Sequence, residues 1–343
     1  MRSKITFVGD FYLPEPGEVQ GLMPENVVLN LEAPITSATI GWPGKVNLKT
    51  EQSPFASALR QRVLGVCLAN NHVMDYGEAG LEDTFRALEQ YGMPFYGAGH
   101  HTDNCHNPLL VEFAGLKLAF LGYVCPTTHP VFYSPSRPGV VPIDRERIRS
   151  EVEQVRRHGA ERVVVSLHWG EEEVFQPKPA DVVMARHVVE AGADMVIGHH
   201  SHCIQPWEQW QGKYIFYGLG NAHFPDLNAP AMFDNNGHPT TRYMKRQHSW
   251  NRQALGVVWE PRNSTILVQQ MSIKRNRYIW HKPLKPPGRL RFRPKKDHAT
   301  VYQRSVAWSR LRGMLFAWLD NPRFPRTHHL KALWSPMADH NRD

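Results

Sequence analysis

Six polar clusters in this chain each follow a short apolar run, and their residue types suit metal chemistry. They are Gly9-Asp10 after ITFV, Asn30-Leu31-Glu32 after NVVL, and Asn70-Asn71-His72 after VCLA. The others are His168-Trp169-Gly170 after VVVSL, Gly198-His199-His200-Ser201-His202 after DMVI, and Gly220-Asn221 after YIFYGL. In open α/β sheets, ligand-binding groups gather at the carboxyl ends of strands, so this placement is itself informative. Carboxylate, amide oxygen and imidazole together suit Mn, Fe or Zn rather than a thiolate-loving metal. Asp10, Glu32, Asn71, His168, His200 and His202 exceed what one closed site needs, whereas two ions sharing a carboxylate use that number naturally. The expected cofactor is a divalent metal, one or two ions.

The elements that must position these residues alternate between strand and helix patterns, which argues for an α/β fold. Expected strands are Lys4–Val8, Asn26–Asn30, Val63–Leu68, Leu109–Phe113, Lys117–Leu121, Arg162–Leu167, Met195–Ile197 and Tyr214–Tyr217. Expected helices are Pro54–Arg62, Glu78–Tyr91, Arg145–His158 and Ala180–Ala191, the second closing at Gly92 with Pro94 beyond. Ala114-Gly115 predicts a tight hairpin, and a second hairpin joins Ala254–Trp259 to Thr265–Met271. Residues 225–252 lack periodicity and read as a long loop, and no internal repeat is visible.

The chain has 343 residues, 41% hydrophobic and 21% charged, which is an ordinary globular composition. No secretory leader and no run of apolar residues long enough to span a membrane is read, so a cytoplasmic location is expected. Cys67, Cys105, Cys125 and Cys203 form no CxxC pair, and disulfides are not expected. Charge is uneven. From Met271 onward there are 17 Lys and Arg against 4 Asp and Glu, a net of +13 in a chain of +8. This places a domain boundary near residue 275, with a body over 1–274 and a basic extension over 275–343.

The segments GDFYL, NLEAP, ANNHVMDYG, SLHWGEE, GHHSHCIQPWE and YGLGN resemble, in order, the motifs of the poly-γ-glutamate capsule-synthesis (CapA-type) proteins. That family belongs to the calcineurin-like metallophosphoesterase superfamily, and the likeness runs from about Ile5 to Phe224. The resemblance implies a calcineurin-like four-layer sandwich, two mixed β-sheets flanked by helices, with a dinuclear centre at the strand ends. It makes Asp10 a first-motif ligand, Glu32 the bridging carboxylate, Asn71 and His168 ligands, and His200 and His202 the paired histidines. The same resemblance implies that His72 approaches the substrate, where it would protonate the leaving oxygen with Asp75 holding its ring. Asn70, Asn221 and Tyr12 are expected to support ligands or touch substrate. Two departures stand out. Asp10-Phe11-Tyr12 replaces Asp-x-His, which removes an imidazole, and Glu32 is longer than the usual Asp, so a one-metal centre stays open.

The implied activity is metal-dependent phosphoester hydrolysis in capsule or polyanionic-polymer biosynthesis, on a phosphorylated or polyanionic substrate. A non-hydrolytic accessory role in polymer assembly and metal-dependent amide hydrolysis of the polymer are the alternatives. His199 reads as a loop neighbour of the ligands, and the His100-His101, Cys105 and His106 group as a surface loop. In the tail, Thr300–Leu319 reads as a helix with Val301, Trp308, Leu311, Leu315, Trp318 and Leu319 near one face. That stripe suits docking on the body or a partner subunit first, and an anionic membrane surface second. Nucleic acid, through Arg289–Lys296, ranks last.

Overall fold

The computed structural model describes residues 3–14, 25–50, 62–100, 108–274, 277–284, 292 and 297–320. The helix expected at Pro54–Arg62 (apart from Arg62), Cys105, His101, His106 and most of the basic run 289–296 lie outside these residues. In chain order the first half carries β1 (Ile5–Phe11), β2 (Val27–Leu31), β3 (Val63–Cys67), α1 (Gly77–Gln90), β4 (Phe95–Tyr96), β5 (Ala98–Gly99), β6 (Leu109–Phe113), β7 (Leu116–Val124), β8 (Gly139–Val140) and α2 (Arg145–Arg157). Then come β9 (Arg162–His168), α3 (Pro179–Glu190), β10 (Met195–His199), β11 (Trp207–Trp210), β12 (Lys213–Phe216), β13 (Asn221–His223), β14 (Leu227–Pro230) and β15 (Arg242–Lys245). The last elements are β16 (Gln253–Glu260), β17 (Thr265–Lys274), β18 (Arg277–Pro283) and α4 (His298–Asp320).

Two mixed sheets result. The first has the order β18-β17-β16-β1-β2-β3-β4, with β13 also pairing β1, and the second β11-β12-β10-β9-β7-β6. In the first, β1 to β4 run parallel and β16 to β18 antiparallel; in the second, β7, β9, β10 and β12 are parallel between antiparallel edges. Period-two alternation sends the side chains of the second sheet into two cores. Leu118, Phe120, Val164, Met195, Ile197 and Phe216 pack with Phe7, Val66 and Trp259 between the sheets. Their alternates Ala119, Leu121, Val163, Val165 and Val196 meet α2 and α3 through Ile148, Val152, Val182 and Val188. Helix α1, crossing from β3 to β4, adds Leu81, Phe85 and Leu88 to the cluster that holds the first sheet. The fold is the four-layer sandwich expected from the sequence.

The Ala114-Gly115 hairpin forms, with both residues at positive φ (51° and 74°), as a two-residue turn matched to strand twist demands. Gln211-Gly212 makes a second such turn, joining β11 and β12. Residues 225–252 are not simply a loop: β14 and β15 pair within them. That hairpin escapes sequence reading because Arg242, Tyr243 and Met244 of β15 are exposed and β14 buries only Leu227 and Ala229. Beyond residue 274, β18 extends the first sheet, and the chain divides into compact units at Arg293 and Pro294. In the second unit, Trp308, Leu311 and Leu315 of α4 are exposed. No described helix is long and apolar enough to cross a membrane.

Candidate metal centre

The parallel strands β1, β2 and β3 of one sheet and β9 and β10 of the other end at the same edge of the sandwich, and their last residues face each other. Close backbone approach makes this possible. A Cβ on Gly9 would lie 1.7 Å from the Gly220 carbonyl oxygen, and one on Gly198 would lie 1.9 Å from that of Tyr217. Only glycine fits at either position, and the residue after each, Asp10 or His199, is thereby delivered to the gap between the sheets.

All six sequence-derived ligand candidates meet there, each under 8% exposed. Asp10 Oδ2 lies 3.3 Å from His202 Nδ1. Glu32 Oε1 lies 3.5 Å from His202 Nε2 and 3.6 Å from His168 Nε2. Asn71 Oδ1 is 2.9 Å from His168 Nε2, and the His168 and His200 rings are 4.8 Å apart. Glu32, His200 and His202 each place one ligating atom within 4.8 Å of the other two. His200 and His202 adopt φ of 84° and 51°, a left-handed backbone that non-glycine residues rarely take and that costs about 1–3 kcal/mol each. Bonds from His200 N–H to Asp10 Oδ2 (3.2 Å) and from Asn251 Nδ2 to the His202 carbonyl (3.2 Å) hold them.

A layer of amides supports the donors. Asn70 donates to Asn30 Oδ1 (3.1 Å) and the Leu31 carbonyl (2.8 Å), and Asn30 donates to Asp10 Oδ1 (2.9 Å). The Asn70 side-chain oxygen also accepts from His72 N–H (3.0 Å) and Val73 N–H (2.9 Å). Asn70 is thus a buried brace of the loop, with its amide bonded to protein groups. Asn221 Oδ1 lies 3.0 Å from His202 Nδ1. His199 is more than a loop neighbour: its Nδ1 is 3.0 Å from Asp10 Oδ1. Tyr12 sits in a small apolar cluster with Ala33, Leu48 and Phe224, its ring 5.1 Å from that of Phe224. His72 Nδ1 is 2.6 Å from Asp75 Oδ2.

Sequence reading gave no role to Lys45, Asn30 or Asn251. Lys45 pairs with Asp75 Oδ1 at 2.7 Å. Its loop has no periodic pattern, so nothing in the residue order signals that contact. Lys245, on β15, bridges Glu172 (3.1 Å) and Glu173 (3.0 Å) beside the histidines.

The electrostatics of the site fit a cation. Burial pushes the His168 and His200 imidazoles down, His168 well below its usual range and His200 to about 4, so both are neutral and carry lone pairs. Burial opposes ionisation of Asp10 too, but hydrogen bonds from His199 and His202 hold it well below the usual carboxylate range. Glu32 is pushed well above that range by burial and the Asp10 charge. His202 is raised to about 10 against its burial, chiefly by Glu32 and Asp10. Positive charge is therefore wanted where Glu32 meets His202. Glu32 Oε1, His168 Nδ1 and His200 Nδ1 are all buried without a hydrogen-bond partner. Orphaned buried atoms of this kind are costly, and Glu32 and His200, which with His202 bring ligating atoms within 4.8 Å of one another, suit a divalent ion.

Residues 23–226 match the family described as "Bacterial capsule synthesis protein PGA_cap". The chain is 32% identical over 160 residues to the "Capsule biosynthesis protein CapA" of Bacillus anthracis, covering 46% of this chain and 39% of that one. It is 34% identical over 157 residues to the "PGA biosynthesis protein CapA" of Bacillus subtilis, covering 46% and 41%. A "Probable polyglutamine synthesis accessory protein" of Mycobacterium tuberculosis is 34% identical over 209 residues, covering 57% and 54%. The chain thus spans about half the length, or less, of these relatives. Among solved structures, a putative 5'-nucleotidase of Staphylococcus aureus aligns at 14% identity with a TM-score of 0.40, covering 89% of this chain and 59% of that one.

Proposed function

Because the chain belongs to the bacterial capsule synthesis protein family PGA_cap, we propose that it is a metal-dependent hydrolase of the phosphoesterase type, serving capsule or poly-γ-glutamate-like polymer biosynthesis. The observation that carries the proposal is Glu32 Oε1, buried without a hydrogen-bond partner between His168 and His202. Asp10, Glu32 and His202 would hold one ion, and Glu32, Asn71, His168 and His200 a second. A divalent ion, when bound, supplies Lewis acidity toward a phosphoryl oxygen and acidifies a water molecule. His72, with Nδ1 tied to Asp75 at 2.6 Å, keeps Nε2 for proton transfer to the leaving oxygen, a step worth about 10²–10⁴-fold. Asn221 fixes the orientation of the His202 ring, as outer partners of metal-binding histidines do. The substrate class this donor set fits is a phosphorylated or polyanionic molecule.

One observation favours the second reading, a non-hydrolytic accessory protein of a polymer assembly complex. Tyr12 occupies an apolar cluster where the superfamily pattern has an imidazole, leaving the Asp10 side poorer in donors. Turnover of a generic phosphodiester, bis(p-nitrophenyl) phosphate, with and without Mn²⁺ separates the two. The hydrolase reading expects Mn²⁺-dependent turnover that falls at least 1,000-fold in His200→Ala, about 4 kcal/mol of transition-state stabilisation. Metal binding with no turnover on phosphodiesters, phosphomonoesters or polyglutamate supports the accessory reading.

A further inference from the structure

Lys45 stands on a loop that is closed before it reaches the site. Asn47, fully buried, accepts from Trp42 N–H (2.9 Å) and donates to the carbonyls of Trp42 (2.9 Å) and Lys45 (2.8 Å). Trp42 N–H also reaches the Asp75 carbonyl at 2.7 Å, and Leu48 N–H reaches Asp75 Oδ2 at 2.7 Å. The loop is therefore docked on the Asp75 turn through its backbone, and the Lys45 side chain, 13% exposed, leaves it already aimed. Its ammonium donates to the carbonyl of Asn71 and forms an ion pair with Asp75 Oδ1 at 2.7 Å.

Those acceptors belong to the two halves of the proposed chemistry. Asn71 offers its side-chain oxygen to the metal cluster, 2.9 Å from His168, while its main-chain carbonyl accepts a hydrogen bond from the Lys45 ammonium. Asp75 gives one oxygen to His72 and the other to Lys45. A tie between an exposed lysine and a carboxylate is worth little. This one joins an enclosed ammonium to a fully buried carboxylate, where loss of the partner leaves a charge uncompensated.

We propose that Lys45 is a positioning residue that locks the metal-holding Asn71 and the His72–Asp75 pair into one rigid unit. The proposal rests on the hydrolase reading for its catalytic consequence. Its structural core, the fixing of the 70–75 segment, does not. A competing role is available: an ammonium has three donors, and one not used by Asn71 could hold an anionic substrate beside the Asp75 ion pair. The two roles predict different kinetics.

The test compares Lys45→Met, which keeps the stem and removes the charge, with Lys45→Arg, which keeps the charge. In metal-free protein, amide hydrogen exchange is followed at His72 and Val73, whose N–H groups bond Asn70. Mn²⁺ affinity is measured by calorimetry, and kcat and KM on the phosphodiester. The expectation for Lys45→Met is at least tenfold faster exchange at both amides, Mn²⁺ binding weakened about 10–100-fold, and lower kcat with KM within twofold. Lys45→Arg recovers most of each. Unchanged exchange and affinity in folded Lys45→Met overturns the proposal, as does raised KM with kcat intact. A parent chain that binds no Mn²⁺ sinks the hydrolase reading alone, and the exchange comparison still decides for or against Lys45.

Discussion

Strands β9 and β10 carry a polar cluster at each end, and the two clusters are finished differently. At the amino end, Asp194 receives Arg156 Nη2 at 2.6 Å and Val163 N–H at 2.9 Å on one oxygen and Lys213 Nζ at 2.5 Å on the other. Burial raises its pKa, but the bonds from Lys213, Val163 and Arg156 outweigh that and hold it low. At the carboxyl end, Glu32, His168 and His200 each keep a buried polar atom with no hydrogen-bond partner. The chain satisfies a carboxylate fully where only stability is at stake. Where it leaves donors open and holds two histidines at positive φ, the arrangement makes sense once an ion is counted among the partners.

The comparison can be broken in three places. Removing a donor from the open end with His168→Ala has the largest expected effect, a loss of Mn²⁺ affinity of at least 1,000-fold, about 4 kcal/mol. Calorimetric titration reads it, and affinity within tenfold of the parent would mean that His168 binds no ion.

Asp181 sharpens the contrast near the same end, since its carboxylate lies beside Gly170 and is 8% exposed. Burial pushes it up to about 7 from the ordinary 3.8, with Lys178 opposing. Between those two values the folded chain holds a proton that the unfolded chain has lost, so stability falls as pH rises from about 4 to 7. Asp181→Asn removes that loss. Its advantage over the parent in urea unfolding is expected to grow across this window to about 4 kcal/mol at pH 8. A pH-independent difference would contradict the assignment.

At the closed end, Asp194→Ala is expected to cost about 2 kcal/mol of stability, below the cost of breaking a deeply buried pair because Arg156 and Lys213 are 32% and 40% exposed. Mn²⁺ affinity of the folded variant should not change. If it falls, the two ends are coupled and the contrast is weaker than drawn.

Much of this was legible in the residues because each ligand follows a strand whose apolar run announces it. VVVSL before His168 and DMVI before the 198–202 cluster place donors at strand ends without any knowledge of the partner strands. The two-residue turn at Ala114-Gly115 was equally plain. What stayed hidden depends on contacts distant in sequence. Lys45 meets Asp75 across a loop with no period, and Asn251 meets His202 from a segment that reads as featureless. His199 looked like a neighbour until the β10 register put it on the inner face with Asp10. The β14–β15 hairpin stayed hidden because Arg242, Tyr243 and Met244 of β15 face solvent and the short β14 buries only Leu227 and Ala229.

The central claim is that the open end exists to hold a divalent ion through Glu32. The direct test is metal content after Mn²⁺ loading, by mass spectrometry of the parent and of Glu32→Gln, with thermal melts of both metal-free proteins. The account predicts one or two ions in the parent and none in Glu32→Gln. It also predicts that the metal-free variant melts higher, because a neutral amide escapes the burial and the Asp10 repulsion that raise the Glu32 pKa. A parent that holds no ion under any loading condition, or equal metal in both proteins, would contradict it.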